Sequence, residues 1–96
     1  MNSLQFEWDE SKNQANKGKH GISFEEAKTV FYDESARIIH DPDHSHMEDR
    51  FILLGLSFHL RILVVVHAYK RNDEVIRIIS ARKATKNEAM YYLKAK

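Results

Sequence analysis

The segment Arg77-Ile78-Ile79-Ser80-Ala81-Arg82-Lys83-Ala84-Thr85 starts as a strand and carries an arginine at each end of its apolar stretch. A strand inside a sheet has little use for two guanidinium groups unless an anion sits beside them. Arginine suits that task because its planar fork matches paired oxygens and stays charged at any physiological pH. His67 lies upstream, after the apolar run Leu63–Val66, and imidazole is the commonest side chain for moving a proton near neutrality. Together these residue types offer charge stabilisation and acid–base chemistry on an anionic substrate. Arg50, which opens Arg50-Phe51-Ile52-Leu53-Leu54-Gly55, joins them, with Arg61 and Lys83 as further cations. Lys12, Lys19 and His20 add positive charge near the N-terminus, although a helix C-terminus favours Lys19 and His20 whatever their task. Each residue has a plainer alternative. His67 could be a half-buried core histidine, Arg77 and Arg50 could bond neighbouring carboxylates, and Arg82 could cap a helix or pair with a surface acid.

Other chemistries find less support. Asp41, Asp43, His44, His46 and Glu48 supply oxygen and imidazole donors at close spacing, but they surround Pro42 in a polar loop, and neither a metal nor a cofactor is expected. The absence of cysteine excludes disulfides and thiolate metal sites and suits a reducing cytoplasm. Apolar runs are too short to span a bilayer, and the first residues lack an apolar signal region, so no membrane partner is expected. The 96 residues, 43% of them hydrophobic, read as one domain over 1–96 with one modest core. Residues 1–50 carry 11 acidic against 6 basic side chains, and residues 51–96 carry 3 against 9. This asymmetry means either distinct acidic and basic surfaces or two halves that interleave and neutralise each other.

Eight elements must position these groups. Leu4–Trp8 alternates as a short strand. Asp9 caps a helix that runs to His20, with Gly21 as its left-handed stop. Ser23 and Glu26 form a capping box for a second helix ending near Tyr32, with Phe24, Ala27, Val30 and Phe31 on one face. Four strands follow, over Ala36–His40, Arg50–Ser57, Arg61–Tyr69 and Val75–Ala81. Thr85 and Glu88 then open a last helix. The order β-α-α-β-β-β-β-α indicates an α+β fold, a small antiparallel sheet with helices packed on one face. The apolar set Ile62, Val64, Val66 and Ala68 should face those helices. Setting Val66 opposite Ile78 then puts His67 opposite Arg77 on the uncovered face.

Three stretches taken together are specific: FEWDESKNQANKGKHGISFEEA (6–27), DPDHSHMEDRF (41–51), and LVVVHAY (63–69) followed by IRIISARKATKNE (76–88). In this order and spacing they resemble the BrnT family of bacterial type II toxins over roughly residues 6–92. The resemblance implies a RelE-like ribonuclease fold and an endoribonuclease that stops translation. It also implies a BrnA-like ribbon-helix-helix antitoxin as partner, with DNA touched only through that antitoxin. The anion at the arginines would then be an RNA phosphate. Metal-independent cleavage needs a base for the ribose 2′-hydroxyl, cationic donors for the phosphoryl oxygens and an acid for the leaving 5′-oxygen. On this basis His67, Arg82, Arg77 and Arg50 are the expected catalytic residues. Lys12, Lys19, His20, Arg61 and Lys83 are expected to bind the RNA. The alternative is a non-catalytic module that only binds a ribbon-helix-helix protein and acts as its co-repressor.

Overall fold

The computed structural model describes residues 4–40 and 49–94 of the chain. Its elements are β1 (Gln5–Glu7), α1 (Glu10–His20), α2 (Phe24–Thr29) with a 3₁₀ turn (Val30–Tyr32), β2 (Arg37–His40), β3 (Phe51–Leu56), β4 (Ile62–Lys70), β5 (Val75–Lys83) and α3 (Lys86–Lys94). The class and the element order are those expected from sequence. The acidic and histidine-rich stretch of residues 41–48, including the metal candidates Asp41, Asp43, His44, His46 and Glu48, lies outside the described residues.

The five strands form one sheet in the order β1-β5-β4-β3-β2. Pairing is antiparallel from β2 to β5, while β1 adds to β5 in parallel, with Phe6 beside Ile76 and Glu7 beside Arg77. On one face, α1, α2 and the 3₁₀ turn close over Leu53, Leu63, Val65, Ile78 and Ala81 with Ile22, Phe24, Ala27 and Val30. On the opposite face, Tyr92 of α3 packs on Leu54 and Val64, joined by Ile52, Leu56 and Ile62. β3 and β4 are therefore apolar on both sides. The alternating sets along β4 carry no polarity contrast, and the expected facing is inverted: Leu63 and Val65 meet α1 and α2, and Ile62 and Val64 meet α3.

The register of β4 on β5 also differs from the expected one, and β5 carries a bulge. Val66 stands opposite Ser80, His67 opposite Ile78 and Ala68 opposite Arg77, so Ile79 is the extra residue. The bulge re-phases the strand. Ile78 and Ala81 both point into the core, although regular alternation would separate them.

Local chemistry explains the helices. The Asp9 carboxylate accepts from the amides of Ser11 and Lys12, and Gly21 closes α1 at φ 72°, where a side chain would be strained. The buried side of α1 is polar. The Asn16 side-chain amide donates to the carbonyls of Ile22 and Ala81 at 2.8 Å, and its carbonyl accepts from the Ala81 amide at 3.2 Å. It serves backbone groups of β5 beyond the point where β1 ends. Asn13 accepts from the Phe24 amide at 2.8 Å and donates to Glu25, tying α1 to the start of α2. Asn16 thereby fixes the C-terminal turn of α1 beside the C-terminal half of β5. Gly55 is required where the 3₁₀ turn crosses β3, since a Cβ there would lie 2.8 Å from Val30 Cγ1.

Candidate functional site

The expected pairing of His67 with Arg77 is not found. His67 is fully buried on the α2 face, its ring edge-on to Phe31 with centroids 4.8 Å apart. Nδ1 lies 3.3 Å from the Val65 carbonyl, which can only accept, so Nδ1 carries the proton and Nε2 accepts from the Tyr69 hydroxyl at 3.2 Å. Burial pushes its pKa down, against the smaller upward pull of the Val65 carbonyl, and keeps the ring neutral. It therefore has no path to a substrate in this arrangement. The histidine fits inside because two neighbouring groups satisfy both ring nitrogens, and the apolar run around it does not distinguish inside from outside.

Arg77 and Arg82 do share the opposite face, brought there by the bulge, but each is held by an acid. Arg77 donates to Glu7 at 3.0 Å across the β1–β5 pair. Arg82 makes two parallel bonds to Glu88, at 2.8 and 2.9 Å, which tie β5 to α3. That fork holds the Glu88 carboxyl down to about 2, even against partial burial. Arg50 is half-buried just ahead of β3. Lys12 and Lys19 are exposed on α1, and His20 is half-buried at its end. The ion pairs Glu26–Arg61, Glu7–Arg77 and Glu7–Arg71 each join an acid of the first half to a base of the second. The two halves interleave across the sheet.

Arg61 and Lys83 meet at the other end. They line one depression of about 360 Å³ with Leu60, Ile62, Ala84 and Ala89, where β4 begins and β5 passes into α3. Arg61 is half-exposed and Lys83 exposed. Behind Arg61 stands Glu26, whose side chain is only 4% exposed. Its carboxylate accepts from Arg61 Nε at 3.0 Å, from a terminal guanidinium nitrogen, and from Ser57 Oγ at 2.7 Å. Burial pushes the Glu26 carboxyl up, but Arg61 and Ser57 outweigh it and hold it below the usual range, with a further contribution from His59. An ionised carboxylate thus fixes the guanidinium, while the Arg61 side chain stays about one third exposed.

The turn Phe58-His59-Leu60 borders this depression. The Ser57 amide donates to the Arg61 carbonyl and the Leu60 amide to the Ser57 carbonyl, both at 2.9 Å, while Thr29 Oγ1 accepts from the Phe58 amide at 3.0 Å. His59 is exposed at its tip and its amide donates to Ser57 Oγ. Because Asn16 holds the end of α1 against β5, Lys19 and His20 lie at the same end of the sheet as Lys83. Chemically, this end offers Arg61, Lys83 and Lys19 as cations for an anion's oxygens and, in His59, an accessible imidazole for proton transfer.

Sequence reasoning missed His59, Ser57 and the tie from Glu26 to Arg61. Glu26 was claimed by the capping-box pattern, and Ser23 Oγ does accept from its amide at 3.0 Å, but its carboxylate turns to Arg61 instead of back to the cap. A histidine in a tight turn without Gly, Asn or Pro was the available signal for His59. A larger recess of about 520 Å³, lined by Asp49, Phe51, Tyr69 and Asp73, has the wrong charge for a phosphate. Among the described residues no helix is long and apolar enough to cross a membrane.

A family model described as "Ribonuclease toxin, BrnT, of type II toxin-antitoxin system" matches residues 8–88. The crystal structure of the Brucella abortus ribonuclease toxin, BrnT, is similar to this chain with a TM-score of 0.67 and 28% sequence identity, covering 88% of this chain and 100% of that one. No curated protein matches the sequence.

Proposed function

Since the chain belongs to the BrnT family of ribonuclease toxins of type II toxin–antitoxin systems, we propose that it is an endoribonuclease that cuts by 2′-hydroxyl attack at the Arg61–Lys83 depression. Cleavage of cellular RNA there would arrest translation, and a ribbon-helix-helix antitoxin would silence it by covering the same cations. The 2′-oxygen attacks phosphorus, the bond to the 5′-oxygen breaks, and the products are a 2′,3′-cyclic phosphate and a 5′-hydroxyl. One proton leaves the 2′-hydroxyl and one reaches the 5′-oxygen. His59 is the exposed imidazole placed for one of these transfers. Arg61 and Lys83 stabilise the negative charge that grows on the non-bridging oxygens. Lys19 and His20 hold the RNA backbone beyond the cut, and Lys12 extends that contact along α1. Arg77 and Arg82, each held by an acid, serve the fold first.

The observation that carries this assignment is Arg61, pinned by a buried carboxylate and sharing a depression with Lys83. A guanidinium fixed before the substrate arrives loses little reorganisation energy when charge develops on the phosphate. The test is cleavage of a short RNA by purified toxin, with the 2′,3′-cyclic end detected by mass spectrometry. Lys83→Ala should lower the rate by roughly two to three decades, as expected for one lost transition-state donor. Full activity of folded Lys83→Ala and His59→Ala proteins would overturn the assignment and leave only the family.

A further inference from the structure

Two large apolar side chains flank His59 in full view of solvent. Phe58 is 74% exposed and Leu60 78%. The turn that carries them is far from slack. Its closing bonds, with Thr29 and Ser57 as outside anchors, fix the backbone on every side. Leu60 sits at φ 63°, a left-handed conformation that a residue with a branched side chain adopts at a cost. Glycine or asparagine is the usual choice in such a three-residue hairpin loop. A chain that holds a phenylalanine out in water on a rigid, strained support beside two phosphate-seeking cations needs a reason for the phenylalanine.

Other exposed apolar residues have a different setting. Tyr91 lies under the Arg37 guanidinium, 5.0 Å from its ring centroid, and Ile38 and Ile39 belong to the edge strand β2. Phe58 and Leu60 sit instead in the turn between Ser57 and Arg61, on either side of the imidazole, and Phe58 is the aromatic one of the two. A ring on a backbone held at this point, with only two rotatable side-chain bonds, has little conformational entropy to lose when a flat partner stacks on it. The flat partner that also brings phosphates to Arg61 and Lys83 is a nucleotide.

We infer that Phe58 is the base-stacking residue of this ribonuclease: an unpaired nucleobase lies on its ring while the adjoining phosphate reaches Arg61 and Lys83. The inference rests on the proposed cleavage site and adds to it the substrate's form. RNA must enter single-stranded, with one base turned out of its stack, and the stacking residue gives tolerance of base identity because every base has a π-face.

The test uses a 2′-O-methyl oligonucleotide of mixed sequence, which lacks the attacking hydroxyl and is bound without being cut. Phe58→Ala should bind it roughly 5- to 150-fold more weakly, the range that loss of one stacked base produces. Phe58→Tyr, which keeps the ring, should bind almost as the parent does. A series of the same strand with one abasic unit moved along it should contain a position where parent and Phe58→Ala bind equally. Since the side chain is exposed, circular dichroism and Tm should be unchanged. Equal binding of the full strand by parent and Phe58→Ala overturns the inference, as does a deficit that no abasic position removes. So does a Phe58→Ala protein that loses affinity for the antitoxin alone, which would make the turn a protein-docking point. If Lys83→Ala weakens binding while Phe58→Ala does not, only the stacking role fails. A parent protein that neither binds nor cuts RNA removes the proposed function and this inference together.

Discussion

The pair formed by Glu26 and Arg61 allows the fold and the chemistry to be separated by experiment. Glu26 is almost wholly covered, with its side chain 4% exposed, whereas that of Arg61 is 34% exposed. Removing one partner of a fully buried pair costs about 3–5 kcal/mol, because the remaining charge has no compensation. Here the Ser57 hydroxyl still serves Glu26, and the gap left by Arg61→Ala opens to water, so a loss of about 2 kcal/mol is expected. For a domain of this length that lowers Tm by roughly 8–16 °C. The loss should depend on pH with a definite sign. In the parent the Glu26 carboxyl is held low, so its contribution is present above the unfolded carboxylate pKa and lost as pH falls. In Arg61→Ala only Ser57 and His59 still oppose burial, so the carboxyl rises from its parent value, this protein loses less stability than the parent as pH falls, and the gap between them closes towards acid. Glu26→Gln combined with Arg61→Ala removes the stranded charge while keeping an acceptor for Ser57. Thermal melts should find most of the lost stability regained and the anomalous pH dependence gone. Cleavage should stay down by roughly two to three decades in both proteins, since neither has the guanidinium. Recovery of cleavage along with stability in the double variant would refute the catalytic role of Arg61. Parent-like melting of Arg61→Ala at neutral pH would refute the premise that Glu26 depends on it.

His67 has a depressed pKa in the folded protein, so the unfolded chain takes up the proton first. Stability should decline as pH falls below 6.5, by up to about 1.4 kcal/mol per pH unit until the buried ring itself protonates. His67→Leu should lack that decline and still cleave RNA, and a cleavage-dead but folded His67→Leu protein would restore His67 to the site. Arg82→Ala removes the fork that holds Glu88 at about 2, a contribution present above about 4.5 and lost as pH falls towards 2. With the Arg82 side chain 41% exposed the cost at neutral pH is about 1 kcal/mol, and urea titrations should find it in full at pH 7 and reduced at pH 3. His59→Ala should leave Tm unchanged and slow single-turnover cleavage by roughly two to four decades, whereas a loss below tenfold would make His59 a positioning residue at most. Leu60→Gly should relieve the left-handed strain for a gain of up to about 1 kcal/mol, read as a higher denaturation midpoint.

Much of the architecture was legible because local signals agreed with it. Asp9, Gly21 and Ser23 mark helix ends by side-chain chemistry that acts within a few residues, and all three do so here. Thr85 and Glu88 form both bonds of their capping box, at 2.8 and 3.2 Å. Trp8, at the end of the alternating first stretch, packs edge-on against Phe24. The facing of β4 was hidden because Ile62 to Val66 is apolar throughout, and a strand covered on both sides has no alternation to read. The bulge at Ile79 was equally hidden, although the sequence did betray some irregularity. Ser80-Ala81 breaks the apolar alternation at the point where the strand changes phase. The site failed for a related reason. Placing His67 beside Arg77 required a register one residue away from the one that the four-residue turn between Lys70 and Val75 sets, and the cation that does sit over a buried acid, Arg61, depends on a contact 35 residues away in sequence.

That extra residue also shapes how such a chain can change over time. Upstream of Ile79, β5 is tied to β1 through Arg77 and Glu7, and downstream it is tied to α3 through Arg82 and Glu88. A substitution at Ile79 changes one half-buried side chain. Deleting it would leave Ile78 and Ala81 two positions apart, so both stay on the core side, Arg77 and Arg82 stay on the other, and Val66–Ser80 and His67–Ile78 become consecutive regular pairs. What such a deletion takes away is the local bend and added twist of the bulge, while the core and the two ion pairs keep their faces. A lineage carrying this strand can therefore lose one residue at the bulge, and gaps should be tolerated there as well as in the turn at residues 71–74.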